Sequence, residues 1–168
     1  LNAKTKKDRR VGEALIGAIL KGGGFSGFRF DTAFCLRFER SEPGEINGNE
    51  IPWIFELQIL TEWWFGAKED WKKRVKSFQE KHCLDTDEPL KAYELTCLRW
   101  SEGGTVDLIN MGDNCLTIVF KNGKSLSISL ESDVDFAWIV QEPNVSEEDS
   151  QWSVVCECGE LFVRMPYS

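Results

Sequence analysis

One histidine, His82, occurs in 168 residues. That scarcity excludes a His-rich metal centre and leaves a single candidate for any His-assisted nucleophile. No apolar run approaches the roughly 18–20 residues that cross a bilayer as a helix. The sequence also lacks G-x-S-x-G, G-x-G-x-x-G and G-x-x-x-x-G-K-[ST], and no stretch has an RRM, KH or zinc-finger pattern. Gly22-Gly23-Gly24 follows a helical pattern instead of opening one, so it is not a phosphate cradle. Positive charge is scarce as well: 20 Lys and Arg against 28 Asp and Glu give a net charge of −8, which argues against general nucleic-acid binding.

What is abundant is core material. Hydrophobic residues make up 42% of the chain, with seven Trp and eleven Phe. Aromatic burial on that scale offsets ordering entropy and predicts one folded domain over 1–168. Cys35, Cys83, Cys97, Cys115, Cys156 and Cys158 lie mostly in apolar runs. A chain this rich in core residues needs no staples, so they read as reduced thiols of a cytoplasmic protein. Cys156-Glu157-Cys158 is a lone C-x-C without the second pair of a zinc site, and it also fits a hairpin tip at Cys158-Gly159. No metal site or cofactor motif is expected.

Periodicity predicts an α+β fold, mostly antiparallel sheet with an N-terminal helix and one helix near 67–82. Val11, Ala14, Leu15, Ala18 and Ile19 form one helical stripe, which the glycines end. The upstream basic run imitates a signal peptide, but Glu13 interrupts the apolar stretch and the glycines are not a cleavage site. Trp71, Val75 and Phe78 mark the second helix. Strands are expected over 25–30, 33–39, 51–60, 92–101, 106–110, 116–121, 124–130, 136–140 and within 152–163, with 43–49 a polar loop. Asn122-Gly123 is the strongest hairpin signal, read as a turn with positive φ at both positions. A faint repeat relates 25–66 to 105–140, and implies two three-stranded units packed about a pseudo-twofold axis.

Charge is the most uneven feature. Residues 1–84 carry 15 basic and 12 acidic groups, whereas 85–168 carry 5 and 16. Within the second half, Glu131, Asp133, Asp135, Glu142, Glu147, Glu148 and Asp149 crowd a single stretch around Phe136 and Trp138. The expected partner-binding surface is therefore Asp133, Asp135, Glu147, Glu148 and Asp149, with Trp138 as anchor if exposed, steering a basic protein. The competing reading is a solvated loop with Trp138 in the core. Glu56 and Glu62 flank an aromatic cluster of Trp53, Trp63, Trp64, Phe65 and Trp71. They offer a second class of function, a small enzyme or ligand-binding protein, unless Glu56 merely faces solvent. A third reading is an oligomerising module, which requires a large self-complementary apolar face.

Trp63-Trp64-Phe65-Gly66 before a charged helix, and Leu116-x-x-x-Phe120-x-Asn122-Gly123-Lys124-Ser125-Leu126-x-Ile128, are similar to stretches in small bacterial α+β proteins. Some of those are immunity proteins of polymorphic or contact-dependent toxin systems. The resemblance covers about 25–140 in general pattern and carries over no individual functional residue. It implies a small, acidic, cytoplasmic protein that binds and neutralises a basic toxin without catalysis.

Overall fold

Leu15, Ile16, Ile19 and Leu20 are buried on one side of the first helix, α1 (Ala3–Leu20). The computed structural model describes residues 3–30, 33–82, 93, 94, 96, 97, 104–146 and 149–166, without the side chains of 3–6. Two devices end α1. Gly22 adopts φ +77°, which a residue with a Cβ disfavours, and its N–H donates to Val106 O at 2.8 Å. Arg40 then donates Nη1–H to Ala18 O at 2.6 Å and Ile19 O at 3.0 Å, taking up carbonyls that lack helical partners.

The strands are β1 (Gly24–Phe30), β2 (Phe34–Glu39), β3 (Glu45–Ile46), β4 (Asn49–Glu50), β5 (Ile54–Ile59), β6 (Trp63–Phe65), β7 (Val106–Met111), β8 (Cys115–Phe120), β9 (Ser125–Ser129), β10 (Phe136–Gln141), β11 (Ser153–Glu157) and β12 (Glu160–Arg164). Every pairing between them is antiparallel. A six-stranded sheet has the order β1-β2-β5-β10-β11-β12 and a four-stranded sheet β6-β9-β8-β7, with β3 and β4 a separate hairpin. The α+β class with mostly antiparallel sheet is thus the observed one.

The two sheets exchange strands at one corner. β5 passes through Leu60–Glu62 into β6, and β9 passes through Leu130–Asp135 into β10. Leu60 N–H donates to Ala137 O at 2.9 Å and Ser129 N–H to Glu62 O at 2.9 Å, so the crossing chains stay paired through the bend. Both segments follow the same path. β1-β2-β5 and β7-β8-β9 are three-stranded meanders, and each then sends a strand to pair with the third strand of the other.

One core lies between the sheets, drawn from Leu36, Phe38, Phe55 and Leu57 on one side and Leu116, Ile118, Leu126 and Ile128 on the other. Helix α1 packs against β12 and β7, an edge strand of each sheet. The second helix, α2 (Lys68–His82), begins with Glu69 and Asp70 and ends with Lys81 and His82, charges that suit its dipole. It buries Trp71 against Trp63, ring centroids 5.2 Å apart, and Trp63 meets Phe34 at 5.3 Å.

Three local expectations need correction. Tyr93, Glu94, Thr96 and Cys97 are helical, not strand; the rest of 92–101 lies outside the described residues. The 43–49 loop contains a hairpin whose turn, Asn47-Gly48, has φ of +53° and +79°, the two-residue arrangement that matches strand twist. At Asn122-Gly123 only Gly123 has positive φ. Gly123 N–H donates to Phe120 O and Phe120 N–H to Lys124 O, so the loop is a three-residue turn closed by a bulge. The hairpin tip at Cys158-Gly159 is as expected, with φ of +48° and +76°.

Arg40→Ala removes both carbonyl partners at the end of α1. We expect a loss of about 1–3 kcal/mol in urea unfolding, with Arg40→Lys recovering only part because an ammonium lacks the guanidinium fork.

Candidate functional site

The outside of the corner is a groove of about 690 Å³ lined by Leu60, Thr61, Glu62, Ser129, Glu131, Ser132, Asp133 and Val134. Its walls are held by the backbone. Thr61 Oγ1 donates to Glu131 O, Ser129 Oγ accepts from Glu131 N–H at 3.0 Å, and Ser132 Oγ accepts from Val134 N–H at 3.2 Å. The last two are short side-chain turns that stiffen the loop between β9 and β10. Val134 is 53% exposed and Leu60 38%, so apolar surface stands in water between the carboxylates.

Two neighbouring turns extend this end of the molecule. Leu130 N–H donates to Asn114 O at 3.0 Å, which sets the β7–β8 turn with Asp113 beside the loop. Phe136 opposes Glu157 in the β10–β11 ladder, and Glu157 opposes Glu160 across the β11–β12 turn. Arg9 ties the two turns together from α1, donating to Asp113 O at 3.0 Å, Gly112 O at 3.3 Å and Gly159 O at 3.4 Å. Its guanidinium lies 3.8 Å from the exposed Asp113 carboxylate. Glu131, Asp133, Asp135, Glu157 and Glu160 make no ion pair among the described residues. Asp113, Glu157 and Glu160 were invisible as site residues in the sequence, because three turns far apart along the chain bring them together.

The expected surface over 131–149 is divided. Asp133 and Asp135 are exposed at the start of β10, whereas Asp149 lies beyond its other end. Six residues at about 3.3 Å rise put roughly 20 Å between the two groups. Asp149 accepts from Ser146 Oγ at 2.6 Å, within its own loop. Glu142 Oε2 accepts from Gln151 N–H at 2.8 Å, Trp152 N–H at 3.2 Å and Ser150 Oγ at 3.2 Å, and so organises that loop. Glu147 and Glu148 lie outside the described residues.

Trp138 is a correction. It is fully buried, on the inner face of β10 opposite Ile59 and Cys156, and cannot anchor a partner. Alternation along β10 turns Trp138 and Val140 inward, and the charges before them reflect only where the strand begins.

The aromatic cluster also divides. Trp63, Phe65 and Trp71 are core, Trp64 is half-buried beneath Lys68 Nζ at 4.3 Å, and Trp53 is exposed. Glu62 accepts from Lys68 Nζ at 2.7 Å and Lys72 Nζ at 3.0 Å, fastening the corner to α2. The Lys68 hydrogen bond leads the causes that hold its carboxyl below the usual range, against an opposing effect of burial. Glu56, for which a solvated face is one of the two readings, is 92% buried on the outer face of β5, paired with Arg29 at 3.3 Å. The length of β5 separates the two carboxylates, on the order of 15–20 Å. That is beyond the roughly 5–10 Å over which two carboxyl groups share one glycosidic bond.

No protein family, curated protein or solved structure matches the chain. Among the described residues no group of three or more His, Cys, Asp or Glu has the geometry to hold a metal ion, and no helix is long and apolar enough to cross a membrane. The five described cysteines are free thiols. Cys156 is buried and its Sγ faces Leu130 O at 3.6 Å; burial pushes its pKa up to about 11.

Two outcomes follow. Trp138→Ala empties a fully buried site and should cost about 3–5 kcal/mol in urea unfolding. Glu62→Gln should lower stability at pH 7 by less than about 1 kcal/mol, since the pairs are half-exposed. The folded carboxyl titrates below the unfolded one, so the difference from wild type is complete above the ordinary carboxylate range. It closes as pH falls through the folded value, which pH-dependent urea melts will register.

Proposed function

We propose that this chain is a non-enzymatic, cytoplasmic protein-binding domain whose acidic corner receives a basic protein, in the manner of an immunity protein blocking a basic toxin. The observation that carries the reading is the convergence of Glu131, Asp133, Asp135, Asp113, Glu157 and Glu160 at one end of the molecule, where Glu131 and Asp133 line an open groove with exposed Val134 and Leu60. Clustered carboxylates steer a cationic partner and set its register, while the exposed apolar side chains supply desolvation energy on contact. Arg9 and the corner hydrogen bonds hold the three turns in place before binding, which lowers the ordering cost.

This reading places the binding surface on 131–135 and its neighbouring turns, and leaves Asp149 outside it. The test is capture from the native lysate at low and raised salt, with the triple variant E131K/D133K/D135K beside D149K. A stoichiometric basic protein should be retained by wild type and D149K, released by salt, and lost by at least about tenfold in affinity in the triple variant, in line with about 1.5 kcal/mol or more per close charge pair. Equal retention by the triple variant removes the corner from consideration.

The alternative, a small enzyme or ligand-binding protein working with the Trp cluster and Glu56 or Glu62, has less support. The cluster is mostly core, and Glu62 is held ionised by two lysines.

A further inference from the structure

Where α1 ends, three basic side chains are drawn together without a matching set of acids. A cleft of about 150 Å³ there is lined by Lys21, Arg40, Ser41, Glu42, Thr105 and Lys121, among others. Backbone pairing holds the segments in place. Gly22 N–H donates to Val106 O at 2.8 Å, Val106 N–H to Gly23 O at 2.8 Å, and Lys121 N–H to Thr105 O at 3.0 Å. Lys21 and Lys121 therefore flank the segment that enters β7. Arg40 is fixed on Ala18 O and Ile19 O.

The charges do not balance. Three cations meet one carboxylate, Glu42, a net +2 in a chain whose total is −8. Lys21 and Lys121 are exposed and make no ion pair among the described residues, and the Ser41 and Thr105 hydroxyls have no hydrogen-bond partner among them. Burial, opposed by the nearby Glu42 carboxylate, pushes Arg40 below the ordinary arginine range, as for a cation with too little negative charge beside it. The C-terminus of α1 does not supply that charge, because its last carbonyls are taken. Gly17 O accepts from Lys21 N–H at 3.0 Å, Leu20 O accepts from Gly23 N–H at 2.8 Å, and Arg40 holds the two between.

We propose that this cleft binds a phosphate dianion, as the free ion or as the head of a phosphomonoester, between the ammonium groups of Lys21 and Lys121, with the Thr105 and Ser41 hydroxyls as further donors. A dianion matches the net +2 of the lining, a monoanion leaves one charge uncompensated, and a cation is repelled. Arg40 contributes its field and not a contact, since Nε donates to Glu42 O and Nη1 to the helix. At roughly 30 Å³ per water the cleft has the volume of about five waters, enough for a phosphoryl group and well short of the roughly 300 Å³ of a drug-sized pocket. The rest of an ester therefore stays outside. Lys21 lies about 18 Å along α1 from Arg9 and the acidic end, beyond the roughly 8 Å over which salt screens charge. The site does not depend on the protein-binding reading above.

The test titrates ¹⁵N-labelled protein with methyl phosphate, inorganic phosphate and dimethyl phosphate at about pH 8, where the first two are dianions and the third a monoanion. The amides of residues 21–23, 40–42, 105 and 121 should shift with a dianion, at an affinity at least about tenfold above dimethyl phosphate. The double variant K21Q/K121Q should weaken methyl phosphate at least about tenfold, because two charge-assisted contacts are lost. Glu42→Gln should strengthen it, and Lys73→Gln, on α2 and away from the cleft, should leave it unchanged. All four residues are exposed, so these variants keep the fold, which an unchanged urea midpoint verifies. Tighter binding of methyl phosphate than of inorganic phosphate assigns the ester, and the reverse or equality assigns the free ion. Equal affinity for methyl and dimethyl phosphate, an unchanged affinity in K21Q/K121Q, an equal loss in Lys73→Gln, or no shift at about 20 mM methyl phosphate overturns the proposal.

Discussion

The corner at which the two sheets exchange strands is the constraint from which most of the molecule follows. An antiparallel sheet that ended at Ile59 or Ser129 would leave backbone donors and acceptors unpaired in the interior. Here Leu60 N–H and Ser129 N–H find Ala137 O and Glu62 O, so both chains turn while remaining bonded. Strands that pass from one sheet to the other also fix the distance between the sheets, and hence which side chains interdigitate. Phe38, Phe55, Leu116, Ile118 and Leu126 are buried in that space. The edges are then managed separately: α1 lies along β12 and β7.

The same corner creates the acidic end. A chain that must cross between sheets leaves its connecting residues on the convex side, where Glu131, Asp133 and Asp135 find solvent. Packing in the fold then adds the β7–β8 and β11–β12 turns on either side. Lys68 and Lys72 are taken up by Glu62, and Arg9 is spent on three backbone carbonyls before it reaches a carboxylate. Glu131, Asp133, Asp135, Glu157 and Glu160 make no ion pair among the described residues, so this end keeps a net negative field. At the far end of β10 the acidic residues behave differently, because Glu142 and Asp149 satisfy backbone and side-chain donors of their own loop.

Burial on the outer face of the large sheet separates two kinds of polar residue. Arg37, Glu56, Gln141, Ser153 and Arg164 oppose one another in turn across five strands; the two arginines at the ends of this row are exposed, and the residues between them are not. A dry polar row is costly unless each group is paired, and the unused acceptor of Gln141 marks the place where pairing is incomplete.

Local sequence determined the elements. The Val11–Ile19 stripe and the glycines after it mark α1, the Trp71 periodicity α2, and period-2 alternation most strands, because these signals depend only on near neighbours, although the face α1 buries is Leu15, Ile16, Ile19 and Leu20. Turn chemistry was legible at Cys158-Gly159 and only in part at Asn122-Gly123, where the flanking register calls for a bulge. Charge asymmetry between the halves was legible too. What tertiary structure alone decided was adjacency and facing. Asp133 and Asp149 are close in sequence but separated by the length of an extended strand, while Asp113, Asp133 and Glu157 are distant in sequence and share one end. Trp138 reads as an anchor only if exposed, and strand alternation turns it into the core; Glu56 admits a solvated reading, yet it sits in the buried middle of the outer face. Pattern gives a side chain its parity along a strand, but only the packed sheets settle which parity meets water.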